Sequence, residues 1–268
     1  MTLIKSEHNG HILEHDEESH LYVLDNKPLC GVTSILSAGY PKSQRIYDWQ
    51  TKEGVKWAIK AIGDMSPEDL TEEHIASIVK ESPTAFQKAL DNACDIGHWV
   101  HQFAYETEAC KPITHPEGLS KPDLLIYNKC CDQFITWHEQ NDDEIIGLEE
   151  LVCSIKHEYA GRFDRLADRK GIIVLTDYKT SSNFYITQFV QMAAYCMAIE
   201  EWQGIVVEDI EIVRFDKKTG SLSTRNLSQL ANTAGIKPTT CLKRLKQQFV
   251  TCLDTYHFKN KFDKYIRK

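Results

Sequence analysis

The amino-acid sequence predicts an α/β fold: a helical N-terminal half, then a β-β-β-α-β core with terminal helices. Three observations lead to it. From about residue 43 to 140 apolar side chains recur at helical spacing. Near 145 the pattern changes to short runs rich in Ile, Val and Leu bounded by turn residues. Beyond 185 helix-like and strand-like segments alternate before the chain ends in helices. With 268 residues, 42% hydrophobic and 26% charged, the chain can bury one large core or two small ones. That composition excludes a disordered, fibrous or miniature disulfide-stapled protein.

Residues 1–20 are polar and acidic and lack the apolar stretch of a signal peptide. No run anywhere approaches the roughly 18–20 apolar residues of a membrane span, so a soluble, intracellular protein is expected. Residues 20–36 read as a hairpin feeding a helix. His20 to Asp25 is strand-like, Asn26-Lys27-Pro28 turns, and Thr33 or Ser34 in Gly31-Val-Thr-Ser-Ile-Leu36 offers an N-cap. Ser66-Pro67 and Ser82-Pro83 each place a proline at a first helical position behind a capping serine. Asp123 to Glu139 forms a further helix with apolar Leu124, Tyr127, Phe134 and Trp137.

Glu144 to Ile155, Tyr159 to Asp168 and Gly171 to Tyr178 then read as a β-meander, with a tight turn at Arg169-Lys170-Gly171. Tyr185 to Glu201 is helical and Val206 to Phe215 is a strand. Asp216-Lys-Lys-Thr-Gly220 turns before Ser221 to Arg225, and helices finish the chain from about 239. No internal repeat or low-complexity linker interrupts this order. The expected division is an N-terminal hairpin and helix (1–40), a helical subdomain (41–140), an α/β core (141–236) and a basic helical tail (237–268).

Nine cysteines are scattered, with no CxxC pair and no Cys/His cluster at zinc spacing, which favours reduced thiols. Charge is uneven. Residues 237–268 hold nine basic side chains against Asp254 and Asp263, a balance of +7 within a chain of net charge −8. The overall charge argues against a surface that embraces nucleic acid everywhere. The basic tail points to a local polyanion contact, with a solvated helix face as the plain alternative.

The sharpest local feature is Asp164 followed by Asp177-Tyr178-Lys179. If Lys170-Gly171 is a two-residue hairpin loop, Arg169 pairs with Ile172 and Asp164 falls opposite Asp177. Directly opposed β-carbons lie about 4.5–5.5 Å apart, and like charges there are destabilising. A cation is therefore expected between them. Asp177 and Lys179, two apart on a strand, share a face. Paired carboxylates suit a hard cation such as Mg²⁺ or Mn²⁺, and the lysine would orient or deprotonate a water or stabilise charge developing on phosphorus.

Taken alone, an Asp-x-Lys on a strand is more often a surface ion pair. Other residues accompany it. Gln191 and Tyr195 share a helix face at i, i+4. Gly97 lies one turn below His101, leaving room for another segment where the imidazole points. Glu149 sits on the strand before Asp164.

In chain order, Gly97-x-x-x-His101, Glu149-x-x-Val152, Gly161-x-x-Asp164, Asp177-x-Lys179-Thr180 and Gln191-x-x-x-Tyr195 resemble the motifs of the PD-(D/E)XK nuclease superfamily. More narrowly they resemble its RecB-like exonuclease branch, which includes phage recombination exonucleases and the mitochondrial genome maintenance exonuclease. The motifs span 97–195, and the weaker likeness of Gly31 to Leu36 to the opening of several phage members extends this to about 20–195. The resemblance implies an α/β, restriction-endonuclease-like core with a mixed central sheet flanked by helices, plus a helical N-terminal subdomain. In that core Asp164 and Asp177 would ligate Mg²⁺ or Mn²⁺. His101 and Glu149 would complete or flank that site, with the Tyr178 carbonyl as a further ligand and Lys179 as the catalytic lysine. Gln191 and Tyr195 would hold the active-site strand and contact DNA, and Lys259, Lys261 and Lys264 of the tail would follow the backbone.

Phe163 stands where the superfamily's name has proline. No iron–sulfur cluster is expected, because Cys196, Cys241 and Cys252 are widely spaced. The expectation is thus a metal-dependent DNA exonuclease of recombination, repair or replication, in the cytoplasm of a bacterium or phage-infected cell. Its expected partners are DNA with a free end and a single-strand-binding or annealing protein, and no membrane. An endonuclease or flap-processing nuclease, or a catalytically silent DNA-binding module, is the alternative. Intact Asp164, Asp177 and Lys179 argue against the silent form.

Overall fold

Antiparallel strands open the described part of the chain, more of them than the single expected hairpin. The computed structural model describes residues 3–41 and 44–266, apart from the side chains of 44, 45, 83–95 and 264. Strands β1 (Leu3–His8), β2 (His11–Asp16), β3 (Leu21–Leu24) and β4 (Lys27–Gly31) form a meander. Two tight turns set its register: Asn9-Gly10 at φ 50° and 82°, and Asp25-Asn26 at φ 48° and 67°. Positive φ at both central positions matches the twist of the flanking strands. The second turn therefore lies ahead of the expected Asn26-Lys27-Pro28, and Pro28 is already a strand residue opposite Val23. The strand β4 runs straight into α1 (Val32–Gly39) behind Gly31, so Thr33 and Ser34 lie inside the helix instead of capping it.

Helices α2 (Gln44–Gly63), α3 (Glu72–Glu108) and α4 (Lys121–Asn141) follow. The Thr71 hydroxyl caps α3 by accepting from the His74 N–H, and Ser120 caps α4 by accepting from Asp123 N–H. The two expected Ser-Pro helix starts are corrected. Ser66-Pro67 precedes the helix as a turn, and Ser82-Pro83 falls inside the 37-residue α3. There the Ser82 hydroxyl donates to the Val79 carbonyl one turn back, as serines within helices do.

The expected β-meander is present as β5 (Glu144–Ser154), β6 (Tyr159–Arg169) and β7 (Ile172–Thr180), with Arg169 opposite Ile172 as the turn demands. Next come α5 (Ile186–Gln203), β8 (Asp209–Phe215), β9 (Leu222–Asn226), α6 (Leu227–Thr233) and α7 (Pro238–Ile266). The short α6 was not expected. It is fixed by a capping box in which the side chains of Asn226 and Gln229 each accept the other's backbone N–H.

The nine strands of the described residues join one mixed sheet, ordered β1-β2-β3-β4-β6-β7-β8-β9 with β5 on β6. The strand β5 follows β6 from Tyr159 to Asp168. Since a strand has two edges, β4 and β7 share the other. The parallel partner β4 takes Tyr159 and Ala160, and the antiparallel partner β7 takes Arg165 to Arg169. Residues 161–164 lie in the fork between them. Helices α1, α5, α6 and α7 bury one face of the sheet around Phe189, Ile199 and Phe249. The C-terminal part of α3 and helix α4 bury the other around Phe134, Trp137 and Tyr178. Among the described residues no helix is long and apolar enough to cross a membrane.

A buried ionic web ties this second layer to the sheet. The Arg165 guanidinium, 1% exposed, donates to Glu108 of α3 at 2.6 Å and to Asp143 at 2.9 Å. Asp143 also accepts from Arg169, which reaches Glu211 of β8, and the Tyr178 hydroxyl donates to Glu108. Removing one member of such a web strands the others without water. The Arg165→Met variant should therefore lose roughly 3–5 kcal/mol in urea denaturation. A loss under about 1 kcal/mol, typical of an exposed ion pair, would mean that water reaches Glu108 and Asp143.

Candidate active site

Three carboxylates stand in a row across three adjacent strands. Leu148 pairs with Arg165 and Glu150 with Phe163, which sets Glu149 opposite Asp164; Arg165 pairs with Thr176, which sets Asp164 opposite Asp177. The β6–β7 ladder stops one pair short of the two aspartates. Instead, the Tyr178 N–H donates to Asp164 Oδ2 at 2.7 Å, so the carboxylate replaces the missing strand carbonyl. Glu149 has φ 52°, in the left-handed region that a non-glycine residue enters at a cost of about 1–3 kcal/mol.

Lys179 places its ammonium 2.7 Å from Asp177 Oδ1, while Asp177 Oδ2 is buried without a hydrogen-bond partner. His101 comes from α3 on the far side, its Nδ1 3.4 Å from Asp164 Oδ2 and its ring hydrogen-bonded to the Tyr178 backbone. Two glycines permit these approaches. A Cβ at Gly97 would lie 2.9 Å from Thr180 Oγ1, and one at Gly161 would lie 2.5 Å from the Tyr195 ring. Tyr195 thus packs directly on the active strand, and Gln191 donates to its hydroxyl at 3.0 Å.

Crowding of acids in a partly buried cleft sets the electrostatics. Burial, then the neighbouring Asp164, pushes the Glu149 carboxyl up to about 8. Burial pushes Asp177 up to about 6 against the pull of Lys179, and raises Asp164 as well. Burial works against the Lys179 ammonium, yet Asp177, Asp164 and Glu149 together hold it above its ordinary value. Burial and Lys179 lower His101 to about 4, leaving a neutral imidazole with a lone pair to give.

This donor set fits a hard divalent cation. Ligand atoms of His101, Glu149 and Asp164 lie within 4.8 Å of one another, and the unpartnered Asp177 oxygen is an acceptor with nothing to accept from. Carboxylates with one imidazole suit Mg²⁺ or Mn²⁺.

The structure brings together His101, Glu149, Asp164, Asp177, Tyr178 and Lys179, with Gln191 and Tyr195 against the same strand. Lys259 and Lys261 are exposed on the last turns of α7, outside this cluster, and the Lys264 side chain lies outside the described residues. One residue was missed. Arg162 donates to Glu149 Oε2 at 3.0 Å and to Glu17, in the β2–β3 turn, at 2.9 Å. It lies two residues before Asp164, and the two-residue period of a strand could have found it.

Residues 123–255 match the profile of the PD-(D/E)XK nuclease superfamily. No curated protein sequence matches the chain. Among solved structures, a "putative exonuclease" from Eubacterium rectale is similar at TM-score 0.41 and 10% identity, over 63% of this chain and 68% of that one. The protein SSO0001 is similar at TM-score 0.28 and 13% identity, over 59% of this chain and 74% of its own.

The raised Glu149 carboxyl has a measurable sign. In metal-free buffer the folded protein keeps a proton that the unfolded chain releases at ordinary carboxyl values, so stability falls as pH rises toward 8. His101 acts oppositely, but only between about 4 and its ordinary 6.5, which leaves pH 6.5–8 to Glu149. Urea midpoints with chelator should fall across that window, and Glu149→Gln should flatten the fall. A flat wild-type profile would mean that Arg162 keeps Glu149 ionised.

Proposed function

Because residues 123–255 belong to the PD-(D/E)XK nuclease superfamily, we propose that this nuclease is a metal-dependent deoxyribonuclease, and specifically an exonuclease acting from a free DNA end. The observation that carries the reading is the row Glu149, Asp164 and Asp177, with the Lys179 ammonium on one oxygen of Asp177 and a buried, unpartnered oxygen beside it. Mg²⁺ or Mn²⁺ bound there supplies Lewis acidity toward the phosphodiester and a water nucleophile at neutral pH.

The chain's own groups do the rest. Asp164 and Asp177 would hold the cation, and His101 and Glu149 would complete its surroundings, with the Tyr178 carbonyl as a further candidate ligand. The Tyr178 N–H fixes the orientation of Asp164. Lys179 remains charged and stabilises the negative charge that grows on the scissile phosphate. Tyr195, itself buried, clamps β6 at Gly161 with its hydroxyl held by Gln191, and in this reading Gln191 would meet the DNA. In this reading residues 141–236 are the nuclease core, and 41–140 narrow its approach so that a strand enters end-first. Residues 237–268 hold phosphates by a salt-sensitive attraction.

Two measurements test it. Lys179→Ala should cut turnover by about two to three orders of magnitude while leaving DNA binding and the metal-induced rise in melting temperature in place. Near-wild-type rates in that variant would return the lysine to an ion pair with no part in the chemistry, and full cleavage in excess chelator would remove the metal. The free-end requirement is read separately. End-labelled linear DNA, single-stranded and duplex, should be degraded progressively with Mg²⁺ or Mn²⁺, and covalently closed circles should survive. Efficient cutting of closed circles would make the enzyme an endonuclease.

A further inference from the structure

Helix α7 outruns its own core contact. Its inward face, with Cys241, Leu245, Phe249 and Cys252 buried and Tyr256 packed against the core, ends at Tyr256. The helix nevertheless continues to Ile266, about 15 Å farther at 1.5 Å per residue. On that extension Phe258, Phe262 and Tyr265 are 62%, 41% and 72% exposed. Their i, i+4, i+7 spacing puts them on one face. The rings of Phe258 and Phe262 lie 4.6 Å apart, and those of Phe262 and Tyr265 lie 6.4 Å apart.

The surrounding charge is predominantly positive. Residues 258–268 hold five basic side chains and one acid, although the whole chain is at −8. Lys259 and Lys261 are exposed, the latter with its ammonium 5.7 Å from the Phe262 ring. A helix end meant only for water would not carry three rings, and one meant for an apolar partner would not interleave them with ammonium groups. Rings on which bases stack, flanked by cations that meet phosphates, are the combination that holds a single strand.

We propose that the Phe258–Phe262–Tyr265 ridge is a stacking platform for single-stranded DNA. The proposal rests on the deoxyribonuclease reading and adds to it the form of the strand. The bases of a duplex are already stacked on one another and offer these rings nothing, whereas the lysines are indifferent to strandedness.

The test uses the full chain with Ca²⁺ in place of Mg²⁺. Fluorescence anisotropy reads binding to a labelled thymidine 20-mer and to a duplex closed by hairpins at both ends. The triple variant Phe258→Ala, Phe262→Ala, Tyr265→Ala should lose about tenfold or more in single-strand affinity at every salt concentration and none for the duplex. Replacing Lys259 and Lys261 by Gln should instead flatten the salt dependence for both substrates. A second triple variant with Leu at the three positions keeps the apolar helix end and removes the π-faces, and it should lose affinity as the alanine variant does.

Full single-strand affinity in the leucine variant, or equal losses on both substrates, would overturn the stacking role. So would a change of oligomeric state in sedimentation, which would make the ridge a contact between copies. If the wild type neither binds nor cuts either DNA, the deoxyribonuclease reading itself fails. If it binds single strands and all variants match it, the ridge alone fails.

Discussion

Everything in the core answers to the repulsion among Glu149, Asp164 and Asp177. Strand pairing forces the three side chains into one line, and burial, complete at Asp177 and partial at Glu149 and Asp164, reduces the water that would screen them. The charges that answer them are Lys179, Arg162 and the hydrogen bond from the Tyr178 N–H. On the opposite face of the sheet the buried web of Arg165, Glu108, Asp143 and Arg169 holds the same strands from behind. Residues 164 and 165, and 177 and 178, thus face in opposite directions with opposite duties. One of each pair stores repulsion and the other resists it.

The fork in β6 explains why this repulsion can be housed at all. A continuous ladder would spend every backbone donor on strand carbonyls. Where β4 has left the edge and β7 has not fully joined it, one N–H is free to hold a carboxylate. Gly161 at the same place lets the Tyr195 ring come close, which closes the fork from the α5 side. The site is therefore less an addition to the sheet than a local interruption of it.

How much of this the sequence disclosed depended on the range of the interaction. The turn at Lys170-Gly171 is local, and its register carried the opposition of Asp164 and Asp177 with it. Gly97 and His101 on one helix, and Gln191 and Tyr195 on another, were likewise legible because helical spacing is enough to place them. Strands β1 and β2 were not, since their outward His, Glu and Lys residues masked the alternation around Leu13, although Asn9-Gly10 is a strong hairpin signal. Ser82-Pro83 misled because proline at a first turn and proline within a long helix look alike over four residues. The pairing of Arg162 with Glu17 joins positions 145 residues apart, and that of Arg165 with Glu108 joins positions 57 apart, so no local pattern announces either.

The backbone at Glu149 has an evolutionary corollary. Glycine or asparagine would sit in that left-handed conformation more comfortably, and either would remove a carboxyl from an overcrowded cleft. A population selected for heat resistance alone should drift toward them at 149 and stay folded. A population selected for turnover should keep the glutamate, and sequencing the two would show whether this residue is retained for what it does or for how it fits.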